Sequence, residues 1–461
     1  MTVVLGDGAS DGPERTRTPQ TFPIGQLRRD FIWGVSTSSF QIEGATREDG
    51  RGPSVWDIYA QTGAVANHDT GDVACDHYHR WPEDIELMKR LGLKAYRLSI
   101  AWPRIYPRGR GTLNRLGIDF YSRLVDALLA AGVEPYITLY HWDLPQALDD
   151  QGGWLARDTA YAFADYAETM VKYLGDRVQF WSTFNEPWCV SFLSYQLGVH
   201  APGLRDERLA VQVAHHTLVA HGLALQSMRA VNAGIKAGIV LNLWSIESRE
   251  DSPVSRAQIE RVWQRDLGWF LDPLLHAEYP LLAWQERESI APPMQSGDLK
   301  LIAQPLDWLG INNYSRVLLD NRGARIQPVP GAEHTDMGWE VHGPGLHRLL
   351  TTLQRRYPVP PLYLIENGAA FKDVLTVDGY VHDVRRIGYL RDYITAVHDA
   401  WRDGVEVRGY FVWSLLDNFE WSFGYGKRFG VIYVDYATQR RVIKDSGYWY
   451  AQVIAQNGIV E

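Results

Sequence analysis

Eight short apolar runs recur along the chain, and their repetition limits the folds open to it. They are Phe31–Ser36, Lys94–Ile100, Glu134–Tyr140, Val178–Phe184, Ile235–Leu243, Asp307–Asn313, Leu362–Glu366 and Val407–Ser414. Several are nearly continuous in Val, Ile, Leu and aromatics, as strands buried on both faces should be. Between the runs lie helical patterns or long loops. Glu83–Leu91, Gly117–Ala131 and Asp158–Leu174 place apolar residues at helical spacing. Strand and helix alternating eight times predict an α/β fold. It is a single (β/α)8 TIM barrel with elaborated loops at the C-terminal face of the strands. The competing open doubly wound sheet would show a Gly-rich phosphate turn after its first strand. Gly34-Val35-Ser36-Thr37-Ser38 is not one.

Barrels with insertions exceed 400 residues as one domain, so 461 residues need no second domain. No Pro/Ser/Gly-rich linker interrupts the chain. The reading is a catalytic domain over 26–461 and a flexible leader over 1–25. The leader's longest apolar run, Val3-Val4-Leu5, is too short for a signal-peptide core. Its Gly8-Ala9-Ser10-Asp11-Gly12 matches G-x-S-x-G but lacks the flanking strand and helix of a nucleophile elbow.

A formal charge of −9 argues against nonspecific nucleic-acid binding, which needs a basic surface. No apolar run reaches membrane-spanning length. Cys75 and Cys189 leave room for one disulfide, but a chain this long reads as holding two free thiols in a reducing compartment. The expected location is cytoplasmic. Cys189, three residues after Glu186, reads as packing. The 18 tryptophans are core by default, with some as flat apolar platforms for sugar rings.

In a barrel, the strand C-termini converge on one face. The polar and aromatic residues there are Gln41 and Glu43, Arg97, His141-Trp142-Asp143, Asn185-Glu186, Asn312-Asn313-Tyr314 and Glu366. Beyond the eighth run come Trp413, Glu420 and Trp421. Such groups have no role in packing a barrel interior. Glu186 and Glu366 each close an apolar run and meet a breaker, Pro187 or Gly368. A carboxyl at the end of a buried strand is poorly solvated, and its pKa answers to every neighbour. Two such glutamates are the minimum equipment for cleaving a glycosidic bond.

Thr183-Phe184-Asn185-Glu186-Pro187 resembles the acid/base motif of glycoside hydrolase family 1, the β-glucosidase family. Ile365-Glu366-Asn367-Gly368 resembles its nucleophile motif. The similarity runs from about Phe31 to about Trp449. It implies a retaining β-glucosidase acting on terminal β-D-glucosyl residues, with galactosyl or fucosyl residues also open. Glu366 would be the nucleophile and Glu186 the acid/base. The resemblance makes Gln41, His141, Asn185, Glu420 and Trp421 partners of sugar hydroxyls and Trp413 the floor under the ring. Trp142 and Asn312 join them as substrate-binding residues. Tyr314 and Arg97 would contact the nucleophile, Trp339 the leaving-group side, and Phe429 a pocket wall. Ile365 stands where the family most often has Thr, and Asn313 where it usually has an aromatic.

The expected partner is a small β-glucoside or oligosaccharide, with no nucleic acid and no membrane. Oligomeric state is not readable. No cofactor or metal is expected. His77 and His79, and His215, His216 and His221, read as structural, and Gly426-Lys427 lacks P-loop spacing. The rival readings are a transglycosylase, a sugar-binding barrel and a 6-phospho-β-glucosidase. A sugar-binding barrel would be expected to lose a glutamate. A 6-phospho enzyme would have to place phosphate against Glu420, with Lys427 and Arg428 the nearest cations in sequence.

Overall fold

A computed structural model describes residues 26–460. The proposed leader and its G-x-S-x-G match lie outside the described residues. All eight apolar runs are strands: β1 (Ile32–Ser36), β2 (Ala95–Ser99), β3 (Glu134–Tyr140), β4 (Phe180–Asn185), β5 (Lys236–Asn242), β6 (Trp308–Asn312), β7 (Leu362–Asn367) and β8 (Val407–Trp413). Each pairs in parallel with its sequence neighbour. β8 closes on β1 from Ile32 opposite Gly409 to Ser36 opposite Trp413. The fold is a (β/α)8 barrel.

The barrel interior changes character along its axis. Its N-terminal half is filled by Ala95, Tyr136, Val240, Trp308, Tyr363, Ile365 and Phe411. Gly34 is the small residue this packing demands, because a Cβ there would lie 2.4 Å from the Phe411 ring. Two residues further along β2 and β3, the period of a strand, the inward side chains are Arg97 and Thr138. Arg97 Nε donates to Thr138 Oγ1 at 2.7 Å, and Thr138 shares a 2.9 Å hydrogen bond with Ser182 of β4. An aromatic plug thus supports a polar C-terminal layer. Three register irregularities fall near that end: between Ser182 and Asn185, between Ile311 and Asn312, and between Tyr410 and Val412. Such bulges re-aim side chains, here beside Glu186, Asn312 and Trp413.

Helices cover the outside. Asp158–Leu174 keeps its expected bounds, and Gly117–Ala131 becomes Arg115–Ala130. Glu83–Leu91 is a correction: the helix begins at His77 and carries Pro82 inside it. Its first turn is held by side chains: His77 Nδ1 lies 2.7 Å from Asp84 of the same helix, which is itself bonded by Arg441 from elsewhere in the chain, and the Tyr78 hydroxyl donates to Asp49. These contacts outweigh the backbone bond that proline removes. Two small sheets were not foreseen, Ile246–Ser248 with Val317–Leu319 and Ile432–Asp435 with Arg440–Ile443. Cys75 and Cys189 are free and buried. Among the described residues no helix is long and apolar enough to cross a membrane.

Candidate active site

A pocket of about 430 Å³ opens at the C-terminal face. His141, Trp142, Asn185, Glu186, Asn312, Tyr314, Trp339, Glu366, Trp413, Glu420, Trp421 and Phe429 all line it. Arg97 and Gln41 stand behind this lining. Gln41 is fully buried and reaches the pocket through Glu420. Its amide donates to Phe419 O at 2.9 Å and to Glu420 Oε2 at 3.4 Å, while its Oε1 accepts from Ser38 Oγ at 2.6 Å. Gln41, read as a partner of sugar hydroxyls, thus stands directly behind Glu420 at the edge of the pocket. Glu43, grouped with Gln41 as a candidate, is a correction. It lies outside the site, accepting from the Tyr121 hydroxyl at 2.6 Å and pairing with Arg104 at 3.0 Å. Asp143 is also buried away from the pocket and accepts from Ser39 Oγ at 3.0 Å. Asn313 sits beneath the lining, where its amide donates to Leu243 O at 2.8 Å. The departure at that position therefore does not reshape the pocket wall.

Three lining residues have left-handed backbone: Trp142 at φ 78°, Glu186 at φ 49° and Trp421 at φ 49°. Side chains this bulky rarely adopt it, at about 1–3 kcal/mol each, and such outliers cluster where geometry serves function. At Glu186 the turn ends β4 and starts the helix that follows Pro187.

One hydrogen-bond chain links the two carboxyls. Arg97 donates through Nη1 to Glu366 Oε1 and through Nη2 to Asn185 Oδ1 at 2.7 Å. Asn312 Nδ2 donates to Asn185 Oδ1 at 3.0 Å and to Glu186 Oε1 at 2.5 Å. The Tyr314 hydroxyl donates to Glu366 Oε2 at 2.6 Å. A guanidinium has no acceptor, so Asn185 must turn its oxygen toward Arg97. Its amide N–H then donates to His141 Nε2 at 3.1 Å. Burial and the Arg97 charge hold His141 well below its ordinary pKa, so the ring is neutral. Its proton therefore sits on Nδ1, which is buried with no partner. That orphan N–H is a donor available to a sugar hydroxyl, and the orphan Asn312 Oδ1 is an acceptor. Around them the rings form walls. Trp421 packs 4.5 Å from Trp142, His141 lies 5.9 Å from Trp413, and Tyr314 lies 5.2 Å from Trp339.

The two glutamates have unequal surroundings. Burial pushes Glu186 up to about 7, and the charge of Glu366 adds to it. Hydrogen bonds from Cys189 and Asn312 oppose the rise. Burial also raises Glu366, but the Arg97 charge and the Tyr314 hydroxyl oppose it at contact distance. Only Glu366 has a cation on its oxygens, so the proton of the pair belongs to Glu186. Glu420 has a third kind of surrounding, without a cation from the described residues on its oxygens. A glutamate is ordinarily an anion at neutral pH, yet burial and the charges of Glu366 and Glu186 push Glu420 up to about 8. At neutral pH it mostly holds its proton, and a hydroxyl donated to it would favour the anion.

Neither cation near Glu420 in sequence lines the pocket. Lys427 Nζ donates to Asp336 O at 2.6 Å. Arg428 pairs with Asp417 at 2.7 Å and stacks 4.2 Å over Tyr433. The outer pocket holds residues the sequence reading missed, among them Trp188, Leu193, Val199, Trp244 and Met337. Trp188 could have been found, two residues past Glu186. Trp244 follows β5, a strand end for which no candidate had been named. Cys189, read as packing, touches the site: its Sγ–H donates to Glu186 Oε2 at 2.9 Å.

The family model of glycosyl hydrolase family 1 matches residues 24–459. Beta-glucosidase A of Acetivibrio thermocellus is 47% identical over 452 residues, covering 95% of this chain and 99% of that protein. A bifunctional beta-D-glucosidase/beta-D-fucosidase of Bifidobacterium breve is 45% identical, covering 93% and 98%. The structure of the beta-glucosidase from Thermotoga maritima in complex with glucoimidazole superposes with a TM-score of 0.92 at 44% identity, over 94% of this chain and all of that one.

Proposed function

The chain belongs to glycosyl hydrolase family 1, and on that footing we propose that it is a retaining β-glucosidase. The observation that carries this reading is the pair of buried carboxyls, Glu186 and Glu366, linked through Asn312, Asn185 and Arg97 but supported unequally. Glu366, ionised against Arg97 and Tyr314, attacks the anomeric carbon. Glu186 gives its proton to the leaving oxygen, and a covalent glycosyl-enzyme forms. Ester formation removes the negative charge of Glu366, one of the two influences that raise Glu186. Glu186 then ionises more readily and takes the proton of the water that releases the sugar.

The sugar contacts follow the site geometry. His141 Nδ1–H and Asn312 Oδ1 offer hydrogen bonds, Trp413 lies beneath the ring, and Glu420 takes hydroxyl donors. The relative named for both glucosidase and fucosidase activity supports a sugar range beyond glucose. Arg428 is already paired and Lys427 is bonded to a backbone carbonyl, so neither is a free cation that would favour a 6-phosphosugar. A cytoplasmic setting belongs to the same reading, supported by two free cysteines. The test is proton NMR of p-nitrophenyl β-glucoside hydrolysis. β-Glucose should appear first and mutarotate afterwards. Initial release of the α anomer would sink the mechanism.

A further inference from the structure

The sulfur of Cys189 occupies a defined place in the site. It lies in the first turn after Pro187, three residues beyond Glu186, in a wide helical segment, Cys189–Gln196. The side chain is buried but lines the pocket. Two polar groups meet it. Glu186 Oε2 accepts its S–H at 2.9 Å, and Asn242 Nδ2, at the end of β5, faces the sulfur at 3.6 Å. An amide N–H can only donate, so Asn242 occupies the sulfur's acceptor side and leaves the S–H directed at Glu186. Asn312 already holds the other carboxyl oxygen at 2.5 Å. Both oxygens of the acid/base are thus fixed by donors from three elements: the end of β6, the end of β5 acting through sulfur, and the helix after β4.

We propose that the Cys189–Asn242 pair is a positioning device that keeps Glu186 acidic and sets the upper pH edge of catalysis. This deepens the glycosidase reading above and rests on it. A donor on a carboxylate favours its ionised form. The charged and titratable groups facing Glu186 are Glu366, Arg97, Tyr314, Glu420 and Cys189 itself. Glu366 raises Glu186, and Arg97, Asn312 and the thiol lower it. The thiol stays S–H throughout, since burial and the adjacent carboxylates hold it well above its ordinary value. It is therefore a donor and not a nucleophile. A filler sulfur would do none of this, and the difference is measurable.

The experiment is the pH profile of kcat/KM on an aryl β-glucoside for wild type, Cys189→Val, Cys189→Ser and Asn242→Ala. Valine keeps the volume and removes the donor. Its alkaline limb should move up by about 0.5–1 pH unit, the scale of one weak donor on a charge. Serine keeps a donor and should restore the wild-type limb, and Asn242→Ala should move it partway. A second readout uses unaltered enzyme. One of its S–H stretching bands should shift to lower frequency as Glu186 ionises, and Glu186→Gln should abolish that titration. An alkaline limb unmoved in folded Cys189→Val, or an S–H band indifferent to pH, overturns the proposal while leaving the glycosidase reading intact. A wild-type enzyme inactive on every aryl glycoside overturns both.

Discussion

Replacing Glu186 with alanine separates the two carboxyls by what each does. The wild-type profile of kcat/KM reports free enzyme, in which Glu186 is pushed up to about 7. A group titrating there is about nine-tenths protonated at pH 6 and about one-tenth protonated at pH 8, so the acid-dependent rate should fall roughly tenfold between them. The sign follows from the role: the first step needs the proton, so the loss lies on the alkaline side. Glu186→Ala should remove that limb. The penalty should depend on the leaving group, since a dinitrophenolate departs without help and a simple phenol or alcohol does not. We expect less than about a tenfold loss in kcat/KM for dinitrophenyl glucoside, against the roughly 10²–10⁴-fold of general acid catalysis for phenyl or alkyl glucosides. Azide should accelerate the variant on the activated substrate, because it attacks the intermediate without a base. Glu366→Ala, by contrast, should nearly abolish turnover on every substrate. The assay is initial rates over a series of aryl glucosides between pH 5 and 9. Equal damage across the series, or an alkaline limb that survives in Glu186→Ala, would show that the roles are wrongly assigned.

Other perturbations reach the sugar side. Glu420→Gln should raise KM and lower kcat for p-nitrophenyl β-glucoside, with kcat/KM falling about 10–100-fold, since charge-assisted contacts tighten in the transition state. Wild-type enzyme should cleave the glucoside and leave its 6-phosphate intact, and a preference for the phosphate in competition would reverse the assignment. Asp69 Oδ2 accepts the Tyr425 N–H at 2.9 Å and the Tyr425 hydroxyl donates to Thr70 O at 2.7 Å, which ties down the segment carrying Glu420 and Trp421. Asp69→Ala should raise KM by about fivefold with kcat less affected, and Asp69→Asn, which keeps an acceptor, should restore it. A kcat loss with unchanged KM would argue against that role.

The barrel was legible because strands buried on both faces write themselves as apolar runs, several of them nearly continuous, and the eight runs recur with helical patterns or long loops between them. The additional strands were not, because three or four residues such as Ile246–Ser248 carry no period. The helix beginning at His77 was hidden by Pro82, whose cost is met in part by contacts from outside the helix, Asp49 on Tyr78 and Arg441 on Asp84, that no local pattern contains. At the site, Glu186 and Glu366 were legible because each closes a strand. Gln41 and Glu43 were not separable, since both belong to the short turn after β1. One reaches Glu420 and the other an Arg104–Tyr121 pair. Left-handed backbone at Trp142, Glu186 and Trp421 has no sequence signal, because bulky residues there break the local rule for the sake of the site.

Charge state was the least legible property, and the catalytic division depends on it. Residue type alone made Glu186, Glu366 and Glu420 three equivalent acids. Placed in one pocket, they cannot all ionise: like charges at close range in a poorly solvated space push one another toward the neutral form. What separates them is a guanidinium that reaches their hydrogen-bond network, Arg97, two residues along β2 from the Ala95 that packs in the aromatic plug. Its Nη1 meets Glu366, which becomes the anion and therefore the nucleophile. Its Nη2 meets Asn185, which through the amide orientation makes His141 a donor at Nδ1. Glu186 and Glu420 receive no such cation, and both are pushed up into the neutral range, to about 7 and about 8. In one this supplies the acid of the first step. In the other it leaves a carboxyl that can ionise when sugar hydroxyls arrive. The asymmetry between the glutamates is thus written in the inward register of β2, far in sequence from either of them.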